Sequence, residues 1–504
     1  MIRTQQPAMP ITRGDRLVGW LAVVLALASC LPVIVARYPQ MSDYPAHLAR
    51  YAVMLDGGRS ADLARFYSFQ WAWTGNLGVD ILIRPFAALF GVEGGGRVIT
   101  GLIPPMTGLG IIAVDRVLRG RVTVASLLAM PFVWSPMMLI GLLNFTLGQG
   151  LALWAFALWV WLEGRIGALW RGVLFVPIGL VVWLCHLSAW GVLGVMIFGY
   201  ALSTGRWWRA FVAPWPLLAP LGVMVAFPGT TSSFSYGAYW WIYKQAIWER
   251  GMRDTVYPLD HWGLIAVGVV LVAALAFRRW DGRLGWAAVI LLLMTYAVPR
   301  HISGGDYADY RLIISGLLVG CLAVNWPRAP RWILVAPALF YLARLAVTTQ
   351  DWHDDSARMA GYLQALDHLP QGARVASAVL VTRGRWPLNH FEHIGAYAVL
   401  RRHALVNANF AVPHVHMLQL RENTRGFVDP SQRLLLLGSQ KIDMAHYGPA
   451  QQADWLWYVG DRAPDTMPEG AVVVWRGKDV FLAKLNPPAP PENAAPLAKR
   501  RKGD

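Results

Sequence analysis

Long apolar blocks recur along the chain and are separated by short stretches rich in arginine. The blocks are roughly 17 to 22 residues long, the length that an α-helix needs to cross the hydrocarbon core of a bilayer. Hydrophobic residues make up 56% of the 504 residues and charged residues only 15%, so little of the chain has a polar face to present to water. The pattern predicts a mainly α-helical, polytopic membrane protein.

We predict about eleven membrane-spanning helices from these blocks. They cover residues 17–36, 97–115, 122–142, 146–162, 172–185, 187–203, 210–227, 260–277, 284–299, 311–325 and 331–348. Arginines gather in the loops on one side, and arginine-rich short loops face the cytoplasm. These residues are Arg13, Arg16, Arg116, Arg119, Arg121, Arg165, Arg171, Arg206, Arg209, Arg278, Arg279, Arg283, Arg328 and Arg331. The N-terminus is therefore predicted to be cytoplasmic.

The opposite side of the membrane receives the segments with the most chemistry. They are a first loop at 37–96, the turn near Asn144, the loops 228–259 and 300–310, and everything after about residue 349. The stretch 75–91 in the first loop is apolar, but Asp80, Arg84 and Pro85 make a membrane crossing costly. We expect this stretch to form a helix at the outer interface, with the Arg84 side chain reaching towards water.

The composition changes after residue 349, which ends the predicted transmembrane domain at 1–349. Segments "ARVASAVLV", "ALVNANF" and "DWLWYVG" read as strands, and "VVVWRGKDVFLAKL" reads as a hairpin that turns at Gly477 and Lys478. We therefore predict a small soluble α/β domain at 350–486, outside the membrane. The proline-rich and then basic tail at 487–504 is expected to be disordered.

Charge and cysteine content exclude several functional classes. The formal net charge is +16, but most arginines lie in loops that orient helices, so we predict no nucleic-acid partner. Cys30, Cys185 and Cys321 all fall inside predicted spans, which argues against a disulfide framework or a cysteine metal site. The chain also has no glycine-rich phosphate loop of the nucleotide-binding kind.

An acidic residue, Asp43, follows the first predicted span in the stretch "SDYPAHLAR". If a helix begins at Tyr44 or Pro45, then Asp43, His47 and Tyr51 share one helix face. A carboxylate at the rim of the bilayer can accept a proton from an attacking hydroxyl, and the low dielectric raises its basicity. The alternative is structural, because Asp followed by Pro two positions later is a good helix N-cap.

The layout of the chain resembles the GT-C superfamily of membrane glycosyltransferases. The common features are a long first span, an acid at the head of the first outer loop, interfacial helices in that loop, and many helices with basic cytoplasmic turns. "SDYPAHLARYAVML", "GLLNFTLGQGLAL" and "CHLSAWGVLG" also look like stretches in bacterial proteins of that type. The resemblance covers roughly residues 15–350. Members of the superfamily include protein O-mannosyltransferases and the aminoarabinose transferase of lipid A.

The resemblance implies transfer of a sugar from a polyprenyl-phosphate carrier to an acceptor on the outer face of the bacterial inner membrane. The acceptor would be an envelope glycan, lipid or protein, with membrane lipids as further partners. The family's first-loop acid maps onto Asp43 as catalytic base, with His47 and Arg50 placing it. Many members carry two neighbouring acids there, whereas Ser42 precedes Asp43, so we predict no cofactor and doubt a divalent metal.

Cations are expected near the donor phosphate, since its negative charge grows as it leaves. The loop "PRHISGGDYADYR" supplies Arg300 and Arg311, with Asp306 and Asp309 as supporting acids. The aromatic-rich loop 228–259 adds Lys244 as a third donor-phosphate candidate. The alternatives are that Arg311 is an interfacial residue reaching for water and that the aromatics form an ordinary interfacial belt.

Histidines give further candidates. His186 lies at the outer end of a predicted span in "WLCHLSAW", where it could lie beside the acceptor, or could simply pack inside the protein. In the C-terminal domain, "HFEH" at 390–393 and "HVH" at 414–416 lack convincing spacing for a metal site.

Two rival functions remain open beside the transferase. A transporter or lipid flippase should carry ionisable or helix-breaking residues at mid-membrane, and the predicted spans hold few charges at their centres. A catalytically inactive GT-C-like scaffold would keep the same layout without the activity. The sequence does not identify the sugar or the acceptor.

The distribution of arginines makes a direct topological prediction. A reporter fused at residue 205 should show a cytoplasmic signal, and one fused at residue 360 should show a periplasmic signal, because the basic loops orient the helices. Paired alkaline phosphatase and green fluorescent protein fusions measure both. A cytoplasmic signal at 360 would place the C-terminal domain on the wrong side and remove the site from the outer face.

Overall fold

The computed structural model describes residues 13–205, 207–227, 233–302, 305–326, 331–380, 389–411, 416–421 and 441–485. The predicted disordered tail at 487–504 lies outside these residues, as do Arg206 and Arg328. Most of the described chain is helical.

Eighteen α-helices form within the described residues. They are α1 (Arg13–Ala28), α2 (Leu31–Val35), α3 (Tyr44–Asp56), α4 (Ala61–Phe66), α5 (Gly78–Arg119), α6 (Val124–Ala129), α7 (Pro136–Ile140), α8 (Leu143–Leu162), α9 (Ala168–Cys185), α10 (Leu187–Thr204), α11 (Trp207–Val212), α12 (Ala219–Ala226), α13 (Trp240–Glu249), α14 (Tyr257–Ala276), α15 (Gly282–Ala297), α16 (Ala308–Ala323), α17 (Arg331–Leu363) and α18 (Ala396–Arg402).

Seven helical segments in the described chain are long and apolar enough to cross a membrane. They are Gly14–Val35, Gly78–Arg119, Leu143–Leu162, Ala168–Cys185, Leu187–Thr204, Trp207–Ala226 and Tyr257–Ala276. Two shorter apolar segments are Val124–Ile140, which lies between the second and third of these, and Gly282–Ala297, which follows the last. The prediction of a helical membrane protein is therefore supported, while the count of eleven spans stays a prediction.

Several predicted boundaries differ from the observed ones. The span predicted at 122–142 is broken into α6, a 3₁₀ turn at Met130–Trp134 and α7, because Pro131 and Pro136 interrupt the helical hydrogen bonds. Helix α5 joins the stretch 75–91 to the next predicted span, with a sharp bend at Gly91 where φ is 70°. Helix α17 continues without a break across the domain boundary predicted at residue 349.

Arginine-rich loops that are predicted to lie on the same side of the membrane contact one another. At one end, Arg121 pairs with Asp15, the two nearest side-chain atoms being 3.2 Å apart. Arg119 donates to the carbonyl oxygen of Leu322, and its Nη2 lies 3.6 Å from Asp281. The basic loops of the predicted cytoplasmic side therefore meet one another.

At the other end, the first loop meets the turns between later helices. The backbone N–H of Leu77 donates to Leu184, and that of Leu187 donates to Gly75, at 2.7 and 2.8 Å. Two short strands, β2 (Phe234–Ser235) and β3 (His301–Ile302), pair antiparallel and join the loops predicted at 228–259 and 300–310. The chemically rich loops thus converge on one region.

The C-terminal residues form a mixed five-stranded sheet with the order β5-β4-β7-β9-β8. Its strands are β4 (Arg374–Leu380), β5 (Leu405–Val406), β7 (Trp455–Gly460), β8 (Val472–Gly477) and β9 (Val480–Lys484). Strand β4 is parallel to β5 and β7, whereas β8 and β9 form the predicted antiparallel hairpin. All five strands lie in segments whose alternation and β-branched residues predict strands.

The first loop is docked onto this C-terminal region. Strands β1 (Tyr67–Phe69) and β6 (Leu418–Leu420) pair antiparallel across the two regions. The buried hydroxyl of Tyr67 donates to the carbonyl oxygen of Ala404, and it accepts from the N–H of Val406 and from the Asn409 amide, each at 3.1 Å. One side chain of the first loop therefore completes the hydrogen bonding of a C-terminal turn.

Replacing Tyr67 with Phe should loosen this docking. Two buried donors would lose their acceptor, which costs about 1 to 3 kcal/mol for a buried group left unsatisfied. We expect faster hydrogen–deuterium exchange in 404–411 of the detergent-solubilised variant. Tyr239→Phe is a matched control, since its side chain is 81% exposed. Equal exchange in both variants would contradict the role of Tyr67.

Candidate functional site

Asp43 begins helix α3 but does not cap it. No hydrogen bond runs from an α3 backbone N–H to its carboxylate, and its φ and ψ of −86° and −13° are already helical, whereas capping residues are normally extended. Its own N–H donates to the carbonyl oxygen of Ile140 at 2.9 Å. The capping alternative for Asp43 is therefore not observed, and its side chain, 14% exposed, faces other groups.

Gly141 explains how this contact forms. Its φ of 100° is in the left-handed region, and a Cβ there would lie 3.4 Å from the Cβ of Asp43 and 3.3 Å from the backbone nitrogen of Tyr44. A residue with a side chain would be strained at this φ and would press on the start of α3. The glycine therefore lets the end of α7 approach Asp43 closely.

Phe145 gathers two of the predicted site residues around Asp43. Its ring centroid lies 5.4 Å from that of His186 and 5.8 Å from the guanidinium carbon of Arg311. The positive charge of Arg311 interacts with His186 and with the carboxylates of Asp306, Asp309 and Asp43. The structure thus brings His186 and Arg311, which are far apart in the sequence, to the same ring, and Asp43 is among the acids that act on Arg311.

His186 has a structural role at the start of α10. It occupies the N-cap of α10, and its Nδ1 accepts a hydrogen bond from the N–H of Ser188 at 3.0 Å. An accepting Nδ1 places the proton of the neutral ring on Nε2. His186 therefore presents an N–H donor, which suits contact with an anionic oxygen.

Arg311 is buried, with 8% of its surface exposed. Its Nε has no hydrogen-bond partner among the described residues, and no ion pair between described residues includes it. A buried guanidinium usually needs a partner anion, because the desolvation of a lone charge costs several kcal/mol. The arrangement is suited to an anionic ligand.

Arg50 has a different task from the one predicted. Its guanidinium forms a buried ion pair with Asp80, at 2.8 Å, and the two side chains are 3% and 0% exposed. The side-chain amide of Asn144 also donates to Asp80, at 3.2 Å. Arg50 therefore ties α3 to α5 and does not contact Asp43, which the sequence could not indicate because its partner lies 30 residues away.

Lys244 is also fixed inside the protein. Its ammonium group donates to the carboxylate of Asp309 at 2.5 Å and to the carbonyl oxygens of Thr295 and Val298 at 2.6 and 2.7 Å. These three bonds use all three N–H donors of a lysine. Lys244 and Asp309 therefore hold α13, α15 and α16 together, and Lys244 has no donor left for a phosphate.

Arg300 pairs with Asp306 within its own loop. Two nearly parallel bonds of 2.7 and 2.8 Å join the guanidinium to the carboxylate, and His301 lies 3.3 Å from the same carboxylate. The hydrogen bonds to Asp306 raise the pKa of Arg300 above its ordinary value. Both partners are about one-third exposed, so this pair shapes the loop that precedes Arg311.

Two histidines of the C-terminal region, His393 and His416, pack beside His47 of α3. The ring centroids of His47, His393 and His416 lie 5.0, 5.2 and 5.3 Å from that of Phe410. The Nδ1 of His393 is 4.0 Å from a carboxylate oxygen of Asp43. His393 lies in the motif "HFEH" and His416 in "HVH", and nothing in either motif indicates that its histidine packs near α3.

His47 is buried in this cluster. Neither ring nitrogen makes a hydrogen bond of normal geometry to a described residue, although the backbone of Gly141 is close enough to favour protonation weakly. Burial and then the charge of Arg50 lower the pKa of His47 well below its ordinary value, and the same two causes lower the pKa of His416 to about 4.

Two cavities lie away from this cluster. One, of about 440 Å³, is lined at the predicted cytoplasmic end by Tyr200, Asp281, Arg283 and their neighbours, and the other, of about 340 Å³, is lined by Asp15, Arg121 and residues near them. Neither is lined by Asp43, His186 or Arg311. Within the described residues, no group of three or more His, Cys, Asp or Glu side chains could hold a metal ion.

Comparison with known proteins adds no further assignment. No protein-family model matches the chain, and no curated protein and no solved structure matches it. A functional assignment therefore depends on the arrangement of the side chains described above.

The neutral histidines predict a pH dependence of stability. Because unfolding restores ordinary pKa values to His47 and His416, the unfolded chain binds more protons between about pH 6.5 and pH 4, and stability falls as the pH falls through that window. The lowered pKa of His416 alone corresponds to roughly 3 kcal/mol.

Thermal unfolding followed by tryptophan fluorescence between pH 7 and pH 4.5 measures this effect. The fall in Tm should be smaller in His416→Gln than in the wild type. His446→Gln, whose histidine side chain is 83% exposed, should keep the wild-type slope. An identical slope in all three proteins would show that His416 is not held neutral by burial.

Proposed function

We propose that this protein is a membrane glycosyltransferase that moves a sugar from a polyprenyl-phosphate carrier to a hydroxyl acceptor on the outer face of a bacterial cytoplasmic membrane. In the reaction, the acceptor oxygen bonds to the anomeric carbon, and the bond from that carbon to the phosphate oxygen breaks. The proton of the hydroxyl passes to Asp43, and polyprenyl phosphate leaves with the bonding electrons. The anomeric configuration is inverted.

The observation that carries the proposal is the state of Arg311. A buried guanidinium without an ion pair among the described residues is a fixed positive charge prepared for an anion. A phosphate leaving group gains negative charge in the transition state, so such a cation stabilises the transition state more than the ground state. His186, with its donor nitrogen beside the same ring of Phe145, offers a second contact to phosphate oxygen.

The position of Asp43 supports its proposed role in taking the proton from the acceptor hydroxyl. Its carboxylate interacts electrostatically with Arg311, the cation that we propose binds the donor phosphate. No N–H of α3 donates a capping hydrogen bond to this carboxylate, so the carboxylate is not a helix cap. A positioned base of this kind contributes about 10² to 10⁴ in rate.

Exposed aromatic side chains near the same end are consistent with a lipid-linked donor. Trp71, Tyr236 and Trp241 are 41% to 52% exposed. The ring of Trp71 lies 5.8 Å from the guanidinium carbon of Arg84. Aromatic faces of this kind favour the membrane interface, where an isoprenoid chain would approach the site.

Two substitutions test the proposal together. The protein is reconstituted in nanodiscs and assayed with a panel of radiolabelled undecaprenyl-phosphate-linked hexoses and pentoses, in envelope extracts that contain acceptors. Asp43→Asn should reduce kcat by about 10² or more, because the amide keeps the volume but cannot take the proton. Its affinity for undecaprenyl phosphate should stay within a few-fold of the wild-type value.

Arg311→Ala should instead weaken the binding of undecaprenyl phosphate by about 10- to 100-fold, with Arg311→Lys between it and the wild type. Each lost charge-assisted bond contributes about 1.5 to 3 kcal/mol. Arg59→Ala, which removes an exposed arginine of the first loop, is the matched control. Normal sugar transfer by a well-folded Asp43→Asn protein would overturn the assignment. An Arg311→Ala protein that binds undecaprenyl phosphate as tightly as the wild type would also overturn it.

A further inference from the structure

We propose that His393, supplied by the C-terminal region, is a positioning residue of the same site and holds the backbone that carries Asp43. This inference rests on the proposed function, since it concerns the placement of the proposed base. It also gives the C-terminal region a part in the proposed chemistry.

His393 makes a direct hydrogen bond to the backbone next to Asp43. The Nδ1 of His393 lies 2.9 Å from the carbonyl oxygen of Ser42, the residue before Asp43. A carbonyl oxygen can only accept, so Nδ1 carries the proton and donates. The same nitrogen lies 4.0 Å from the Oδ1 atom of Asp43, which is too long for a hydrogen bond.

The peptide between Ser42 and Asp43 is thereby held from two sides. On one side, the Ser42 hydroxyl and the Asp43 N–H both donate to the carbonyl oxygen of Ile140, at 3.1 and 2.9 Å. On the other side, His393 donates to the carbonyl oxygen of Ser42. These hydrogen bonds from both sides fix the position of Asp43, the residue before α3, and therefore the position of its carboxylate.

His393 is itself held rigidly. Its side chain is 5% exposed and packs on Phe410, whose ring also contacts His47 of α3. The pairing of β1 with β6 and the bonds of the Tyr67 hydroxyl fix the C-terminal region against the first loop. The position of the histidine is therefore determined by contacts that do not involve Asp43.

The experiment compares three variants of the full-length protein in nanodiscs. His393→Phe keeps the ring but removes the donor, and His393→Asn places an amide N–H near the position of Nδ1. His390→Gln is the control, because His390 is three residues earlier, equally buried, and pairs with Asp355 at 2.8 Å. The assays are sugar transfer from the undecaprenyl-phosphate panel and hydrogen–deuterium exchange in 41–50.

We expect His393→Phe to lower kcat by about 10- to 100-fold with little change in KM, since a displacement near 1 Å costs about that much. It should also speed exchange in 41–50. His393→Asn should recover activity to within a few-fold, and His390→Gln should resemble the wild type.

Full activity and unchanged exchange in His393→Phe would overturn the inference while leaving the glycosyltransferase proposal intact. Equal losses in the Phe and Asn variants, with faster exchange throughout 389–411, would show that His393 only stabilises the fold and would also overturn it. If the wild type transfers no sugar, the glycosyltransferase proposal fails, and the exchange in 41–50 alone decides whether His393 holds Asp43.

Discussion

The need to neutralise buried charge determines how the outer end of this protein is assembled. Four arginine and lysine residues are buried in the described part of the chain: Arg50, Lys244, Arg311 and Arg344. Three of them pair with a buried aspartate at 2.5 to 2.9 Å, and each pair joins helices that are distant in the sequence. Losing one partner of such a pair is costly, since it leaves the other charge unsolvated. Arg311 differs from the other three because no ion pair between described residues includes it, and this difference is the basis for our proposal of an anionic ligand there.

The same rule explains which site residues could be read from the sequence. Asp43, His186 and Arg311 are polar residues at the predicted outer ends of apolar segments, and the structure places His186 and Arg311 on the same ring, that of Phe145. Lys244 met the same criterion but is held by Asp309 and two backbone carbonyls. A one-dimensional pattern shows where a charge lies along a span, and it does not show which other span supplies the partner.

Boundaries and docking were predicted less well than the helical character of the chain. Apolar block length predicts that a helix exists, but prolines inside 122–142 and the bend at Gly91 depend on local backbone geometry. The strands of the C-terminal sheet follow from alternation and β-branched residues. The contact of that sheet with the first loop depends on one tyrosine hydroxyl and on the three-residue pairing of β1 with β6, which no periodicity reveals.

The docking matters because it helps to place Asp43, the proposed catalytic base. A carboxylate that caps its own helix is placed by that helix and has its oxygens occupied by backbone N–H groups. Asp43 is instead placed through its backbone, by Ile140 from the transmembrane part and by His393 from the C-terminal part. The carboxylate is therefore positioned through the backbone contacts of Ile140 and His393 and accepts no capping hydrogen bond from α3. It also makes the geometry of the site depend on both parts of the chain being in contact, so a change that loosens the contact at Tyr67 should reach Asp43 through His393.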